Sequence, residues 1–359
     1  MALERAQPTS ESDLLRILAD EVGRRIPPGW ESDLRLIPQG RGPDAILSLR
    51  GPDGSEGSFS VAAKTTINTR DVPALLDSMR RMLDKTTDEP NLLVIARYLA
   101  PRTRDRLREA SASFADATGN LRLASARPAV FIEGAGASSD PWRGPERQTK
   151  TLKGRPAAKI VRALVDFRPP YGVRELSKIS GASLGSTYRV VDFLDREALI
   201  RRDDKGAVVD VDWPALLSRW AEDYEFQRSN QVTSAFEPRG TPRLLDALSS
   251  GVAGRYAVTG SAAAARVAPV AETRLTLLFA EDPAGLLEEL DLRSSGPPNV
   301  LVARPFDDVV FDRTIEDGGL VYTAFSQAAA DLLTSPGRGP AEAEALISWM
   351  KGNEDVWRR

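Results

Sequence analysis

The segment Val173–Val211, VRELSKISGASLGSTYRVVDFLDREALIRRDDKGAVVDV, constrains the chain more than any other. Val173, Leu176 and Ile179 recur at helical spacing among Arg174, Glu175, Ser177 and Lys178, which predicts a short amphipathic helix. Gly181 suits the left-handed exit from that helix. Ser183 can cap the next one, with Leu184 filling the space between the two. Tyr188, Val191, Leu194 and Leu199 continue an apolar face, which leaves Ser183, Ser186, Thr187, Arg189 and Val190 on the exposed side. The polar run Arg201-Arg202-Asp203-Asp204-Lys205-Gly206 then separates Leu199-Ile200 from the apolar strand Ala207–Val211, as a hairpin turn does. Helix, tight turn, helix and hairpin, in that order, are the plan of a winged helix-turn-helix.

A preceding helix over Ala157–Phe167, with Ile160, Val161, Leu164 and Phe167 apolar, supplies the first element of that plan. From Lys153 to Asp210 the chain has twelve Lys or Arg against eight Asp or Glu, whereas the whole sequence has 48 against 51. Phosphates are contacted by a face, so the local excess matters more than the total. The expected major-groove contacts are Ser183, Ser186, Thr187 and Arg189; Tyr188, although on the apolar stripe, is counted with them. Arg201, Arg202 and Lys205 would meet the minor groove or phosphates at the hairpin, and Lys153, Arg155 and Lys159 the flanking backbone. Double-stranded DNA is the expected partner. A single such module covers few base pairs, so a homodimer is expected as well.

The sequence has neither Cys nor His, which removes Ser-His-Asp and Cys-His catalysis, thiol redox chemistry and zinc sites built on those ligands. No apolar run reaches the roughly 20 residues that span a bilayer, and no signal-peptide pattern opens the chain. A cytoplasmic protein without membrane, metal or cofactor is therefore expected.

The N-terminal block alternates helix and strand. Leu14–Ile26 and Asp71–Leu83 read as helices, and Asp33–Ile37, Ala45–Leu49, Phe59–Lys64 and Asn91–Ala96 as strands. Pro43-Asp44 before one strand and Ala62-Ala63-Lys64 at the end of another resemble the PD-(D/E)xK nuclease pattern, in which two carboxylates hold Mg²⁺ and a Lys stabilises charge at the phosphate. Ala62 stands where the second carboxylate belongs, so the reading is of a degenerate nuclease fold. A helix after Pro101 carries Arg102, Arg104, Arg106 and Arg108, taken as a charged surface paired with Asp105, Glu109 and Asp116.

Gly134–Lys150 (GAGASSDPWRGPERQTK) has no periodicity and reads as a linker, and Trp213–Gln227 as an aromatic-rich helix. Beyond it, strands are expected at Arg255–Val258, Arg274–Phe279, Val300–Ala303, Phe306–Val310 and Leu320–Thr323, with helices at Pro242–Ser249, Ser326–Leu333 and Ala341–Met350. Thr259-Gly260-Ser261 between a strand and a helix resembles the opening of a nucleotidyltransferase fold. The following strand, Leu275–Phe279, lacks the acidic pair that would bind metal there. Arg304, Asp307, Asp308 and Asp312 read as a salt-bridged rim. The expected architecture is a multidomain α/β chain with four parts. These are a degenerate restriction-endonuclease-like α/β domain (1–133), a linker (134–150), a central winged helix-turn-helix (151–228) and a nucleotidyltransferase-like C-terminal α/β domain (229–359).

The stretches YLAPRTRDRLREASASFADATGNLRL, SGASLGSTYRVVDFLDREALI, YAVTGSAAAARVAP, RPFDDVVFDRT and SQAAADLLTSPGRGPAEAEALISWM together resemble actinobacterial winged helix-turn-helix proteins akin to the AbiEi-type antitoxins of type IV toxin-antitoxin systems. The resemblance implies an operon-repressing DNA-binding module and a C-terminal domain that engages a protein partner. This chain departs from the antitoxin plan, because its winged helix lies in the middle. Sequence alone thus points to a non-enzymatic, DNA-binding transcriptional regulator. An antitoxin-like partner binder and a metal-dependent nuclease using Asp44 and Lys64 are the alternatives.

Overall fold

A computed structural model describes residues 7–38, 43–83, 91–142 and 151–359. The chain is mixed α/β and divides into two compact units, chiefly residues 1–147 and 148–359.

The first unit is built on strand β4. It carries α1 (Glu11–Arg25), β1 (Glu31–Leu36), β2 (Ala45–Arg50), β3 (Glu56–Lys64), α2 (Val72–Met82), β4 (Asn91–Ala96), α3 (Pro101–Glu109), β5 (Ser113–Asp116), β6 (Leu121–Ala126) and β7 (Ala129–Gly134). The strands lie side by side in sequence order. β3, β4 and β5 are parallel and the remaining neighbours antiparallel. β4 is apolar at successive positions because both its faces are covered. Leu93 and Ile95 pack in the core that holds Leu14, Leu18 and Val22 of α1, while Leu92 and Val94 pack with Leu76, Met79 and Leu107 of α2 and α3. Ser10 and Asp13 start α1 with a reciprocal capping box, each side chain accepting the other's backbone N–H at 3.1 Å.

The expected linker begins as ordered structure. Asn120 Oδ1 accepts from Gly136 N (2.9 Å) and Thr118 Oγ1 from Ala137 N (3.0 Å), and a Cβ at Gly136 would run into the Asn120 and Thr118 backbone. Residues 143–150 of that stretch lie outside the described residues.

The second unit opens with α4 (Arg155–Asp166), α5 (Val173–Ser180) and α6 (Leu184–Arg196), followed by the hairpin β8 (Ile200–Arg202) and β9 (Val208–Val211). Tyr171 extends the hairpin, exchanging two backbone hydrogen bonds with Val208 (3.1 and 3.0 Å). Next come α7 (Trp213–Ala221), α8 (Phe226–Ser229), β10 (Gln231–Ala235), α9 (Gly240–Ser249), β11 (Tyr256–Thr259), α10 (Gly260–Ala264), β12 (Thr276–Ala280), α11 (Pro283–Glu289) and β13 (Val300–Arg304). β14 (Ile315–Asp317), β15 (Leu320–Tyr322), α12 (Phe325–Leu333), α13 (Gly339–Gly352) and α14 (Glu354–Trp357) complete it. Its mixed sheet runs β10-β13-β12-β11-β15-β14.

The boundary expected at residue 229 does not separate compact units. One apolar core runs from Ile160, Leu164 and Leu194 of the helices through Trp220 to Val258, Leu278 and Leu346 beside the sheet. A polar network also crosses it. Arg162 of α4, a charged residue, is only 1% exposed. Its guanidinium donates to Asp166 Oδ2 (3.0 Å), Val309 O (2.9 Å), Gln327 Oε1 (3.0 Å) and Asp312 O (2.9 Å), so α4 is bonded to α12 and to the segment before β14. That segment is a 3₁₀ turn at Asp308–Phe311, where the sequence suggested a strand over Phe306–Val310. Asp307 caps the turn by accepting from Val309 N at 3.0 Å, which fixes a helical start against the β propensity of Val309 and Val310.

Deeper in the network Asp331 is fully buried and accepts from Tyr224 Oη (2.6 Å), Thr259 Oγ1 (2.6 Å) and Gln327 Nε2 (3.0 Å). Burial outweighs these donors and pushes its carboxyl up to about 6 from 3.8. The folded state therefore holds this proton more tightly than the unfolded chain does. Stability from this group is present in full below pH 3.8 and is lost as pH rises through about 6, a cost of about 3 kcal/mol at neutrality. Asp331→Asn should remove this cost. Denaturant unfolding between about pH 4 and pH 7 should then show a smaller loss of stability in the variant than in the parent; parallel pH profiles would contradict the assignment.

Candidate nucleic-acid interface

The outward face of α6 carries a run of exposed polar side chains. Gly181, at φ 64°, ends α5 in the left-handed region, and Ser183 Oγ then accepts from Ser186 N at 3.3 Å to start α6. Thr187, Val190, Val191 and Leu194 turn into the core. The opposite side carries Ser183, Leu184, Tyr188, Arg189 and Asp192, with Ser186 half-buried between them. Arg189 Nη2 donates to Ser186 Oγ (3.1 Å), and Ser183 Oγ lies 3.0 Å from Ser186 Oγ, so three of the expected contact residues form one polar strip, exposed at Ser183 and Arg189 and half-buried at Ser186.

The sequence reading had the phase of this helix partly wrong. Thr187 is fully buried, and its hydroxyl donates to Ser183 O at 3.0 Å; it braces the turn and cannot reach a ligand. Tyr188 leaves the apolar stripe and is 43% exposed, and Leu184 at 39% and Ile179 at 36% do not fill the interhelical space. Stepping four residues back from Val191 and from Leu194 reaches Thr187 and Val190, and a threonine can sit in a core when its hydroxyl finds a backbone carbonyl.

In the hairpin, Asp203 Oδ1 accepts from Lys205 N (3.0 Å) and Ala207 N (2.8 Å), which fixes the loop and leaves the Lys205 ammonium exposed at its tip. Arg201 is exposed, with Asp210 4.0 Å away. Arg202 is committed elsewhere. It bonds Asp192 Oδ1 (2.8 Å) and Gly206 O (3.0 Å), joining α6 to the hairpin loop, and so leaves the expected set of DNA contacts. Among the described residues no ion pair engages Arg174, Lys178, Arg189 or Lys205.

The basic residues of α4 are used differently from the expectation. Arg155 Nε donates to Phe306 O (2.9 Å), and Lys159 lies 3.6 Å from Asp307 Oδ1. Both neutralise the segment before the 3₁₀ turn, a pairing across about 150 positions that no local pattern announces. Lys153 is exposed and lines a cleft of about 720 Å³ with Trp220 and Tyr224.

Two other constellations resolve in the structure. In the first unit Lys64 Nζ meets Asp44 Oδ2 (3.3 Å) and also Glu11 Oε1 (3.0 Å), a carboxylate from α1 that the sequence reading missed because it lies 53 residues away. Desolvation alone would lower the Lys64 ammonium, but the two carboxylates outweigh it and hold the group above its usual value. Among the described residues no three Asp or Glu side chains gather as a metal site. Of the arginines of α3, Arg106 pairs with Glu109 (3.2 Å) and Arg108 with Asp105 (2.6 Å) and Glu133 (3.0 Å), as expected of a charged surface. Arg104 instead bonds Asn120 Oδ1, and the third expected partner, Asp116, is buried and accepts from Leu99 N (3.1 Å) and Asn120 Nδ2 (2.8 Å). In the second unit Thr259-Gly260-Ser261 is not an open phosphate loop. Thr259 is bonded to Asp331, Ser261 to Glu342, and Gly260 is buried under Leu277.

No protein-family model, curated protein or solved structure matches this chain. No described helix is long and apolar enough to cross a membrane.

The turn geometry carries a test. A side chain at position 181 would be forced into the left-handed region although nothing lies within 4 Å of its Cβ. Gly181→Ala should therefore destabilise the second unit by about 1 kcal/mol through backbone strain alone. A loss below about 0.3 kcal/mol in chemical denaturation would show that the turn relaxes freely.

Proposed function

We propose that this chain is a sequence-specific DNA-binding protein, a transcriptional regulator, whose second unit reads duplex DNA with a winged helix-turn-helix formed by α4, α5, α6 and the β8–β9 hairpin. The observation that carries the reading is the polar strip Ser183, Ser186 and Arg189 on the first turns of α6, with Tyr188 beside it and an unpaired Lys205 at the hairpin tip. Ser and Arg at that place suit base edges and phosphates in the major groove, and Tyr188 and Leu184 offer apolar surface to thymine methyl groups. Arg201 and Lys205 suit a phosphate or the minor groove. On this reading the protein acts in the cytoplasm as a homodimer, without catalysis or cofactor. The antitoxin-like role implied by the family resemblance would add a protein partner on the C-terminal sheet.

A gel shift on duplex DNA from the chain's own upstream region tests it. Arg189→Ala should weaken the specific complex by about 1–3 kcal/mol, and Lys205→Ala should weaken binding to all sequences and lower the salt slope by about 1. Thr187→Val, a change inside the core, should leave affinity per folded molecule unchanged. Unaltered binding in both Arg189→Ala and Lys205→Ala would overturn the reading.

The meeting of Glu11, Asp44 and Lys64 favours one second reading, metal-dependent phosphodiester cleavage by the first unit. Two carboxylates could share a divalent cation, but both are occupied by the lysine and Ala62 adds no ligand. Mg²⁺-dependent cutting in the same assay, abolished by Asp44→Ala, is the result that would establish it.

A further inference from the structure

Away from α6, the second unit encloses a recess of about 430 Å³ beside the C-terminal end of α4. Its apolar wall comprises Phe325, Trp349 and Trp357, with Phe325 and Trp349 packed edge to face at 5.0 Å. Four arginines, Arg266, Arg313, Arg358 and Arg359, line it against two acids, Asp166 and Asp355.

The ion pairs divide these charges unequally. Asp166 Oδ2 is taken by Arg162 (3.0 Å) while its buried Oδ1 has no hydrogen-bond partner, and Asp355 is taken by Arg168 (2.6 Å), Arg358 by Glu354 (3.1 Å) and Arg266 by Asp317 (2.7 Å). Arg313 and Arg359 are left without a carboxylate among the described residues. The Arg313 guanidinium is held by two carbonyls, Asp166 O and Trp357 O, both at 2.5 Å, and stacks 5.3 Å from the Phe167 ring. Its backbone sits in the left-handed region at φ 58°, a strained place for a residue with a long side chain. Burial lowers its pKa against the opposing charge of Asp166, and the neighbouring Arg359 and Arg162 cations push the same way as burial. The negative end of α4 does not oppose an anion here. Arg358 covers Val165 O (3.0 Å) and Leu164 O (3.4 Å), and Arg313 covers Asp166 O.

We infer that this recess binds a planar aromatic carboxylate, its ring against Trp349 and Phe325 and its carboxylate facing Arg313 and Arg359. The volume suits one or two fused rings; with both Nη groups of Arg313 on backbone carbonyls, the exposed Arg359 guanidinium supplies the fork that matches a carboxylate, and Arg313 adds charge beside it. The site stands on the second unit alone and does not depend on whether α6 reads DNA. Because Arg313 and Arg358 also hold the last carbonyls of α4, a bound carboxylate would act directly on the end of the helix from which α5 and α6 continue.

Isothermal titration of the full chain with benzoate and with 2-naphthoate tests the inference, with acetate and benzamide as probes lacking the ring or the charge. Saturable binding of at least one of the first two is expected, with acetate and benzamide each roughly tenfold or more weaker. Arg313→Met should weaken the carboxylate roughly tenfold or more. Arg359→Gln, a change on an exposed side chain whose backbone bonds to Asp166 and Arg168 remain, should weaken it in the same direction without a folding defect. Absence of saturable binding by both carboxylates, equal binding of benzamide, or undiminished affinity in both variants would overturn the proposal.

Discussion

The second unit depends on one buried guanidinium. Arg162 is removed from water and so must be fully paired, since an uncompensated buried charge costs several kcal/mol. Its acceptors are Asp166 on its own helix and groups on two elements distant in sequence, the 3₁₀ turn segment and α12. The pairing requires those elements to be in place together, which is why the helical part and the sheet part form one body around one core. Gln327 extends the network to Asp331 and Tyr224, so the polar contacts beneath the sheet continue those that hold α4.

That arrangement sorts the charged residues by use. Arg155, Lys159 and Arg202 hold the structure together, in each case on a carbonyl or carboxylate that the fold supplies. Arg189 and Lys205 have no such partner, and at the far end of the unit Arg359 has no carboxylate while Arg313 is held by carbonyls alone. The DNA reading and the carboxylate site rest on the same physical contrast between cations consumed by folding and cations left over. Local basicity counted along the sequence does not draw that distinction, because a count is blind to pairing.

What the sequence revealed follows from the range of each interaction. α4, α5, α6 and the hairpin were legible, since apolar periodicity, Gly181 and the polar loop at 201–206 are local signals. The inward turn of Thr187 was not, because its burial depends on a hydroxyl reaching Ser183 O and not on hydropathy. The 3₁₀ turn at Asp308–Phe311 was hidden by two valines, and its cap at Asp307 was read as a salt-bridged rim. Glu11 at Lys64 and Asp307 at Lys159 are contacts between distant segments that only the fold brings together. The opening of the supposed linker was misread for the same reason, since its backbone amides are bound by Asn120 and Thr118.

The most direct test of the central claim, that the first turns of α6 and the hairpin tip face DNA, is hydrogen exchange on the full chain with and without duplex DNA carrying its binding site. The account predicts slowed exchange confined to residues 183–189 and 201–206, with the core of the second unit unchanged. Protection centred instead on the strands around Asp44 and Lys64, or none in α6 under conditions where the complex is saturated, would contradict it.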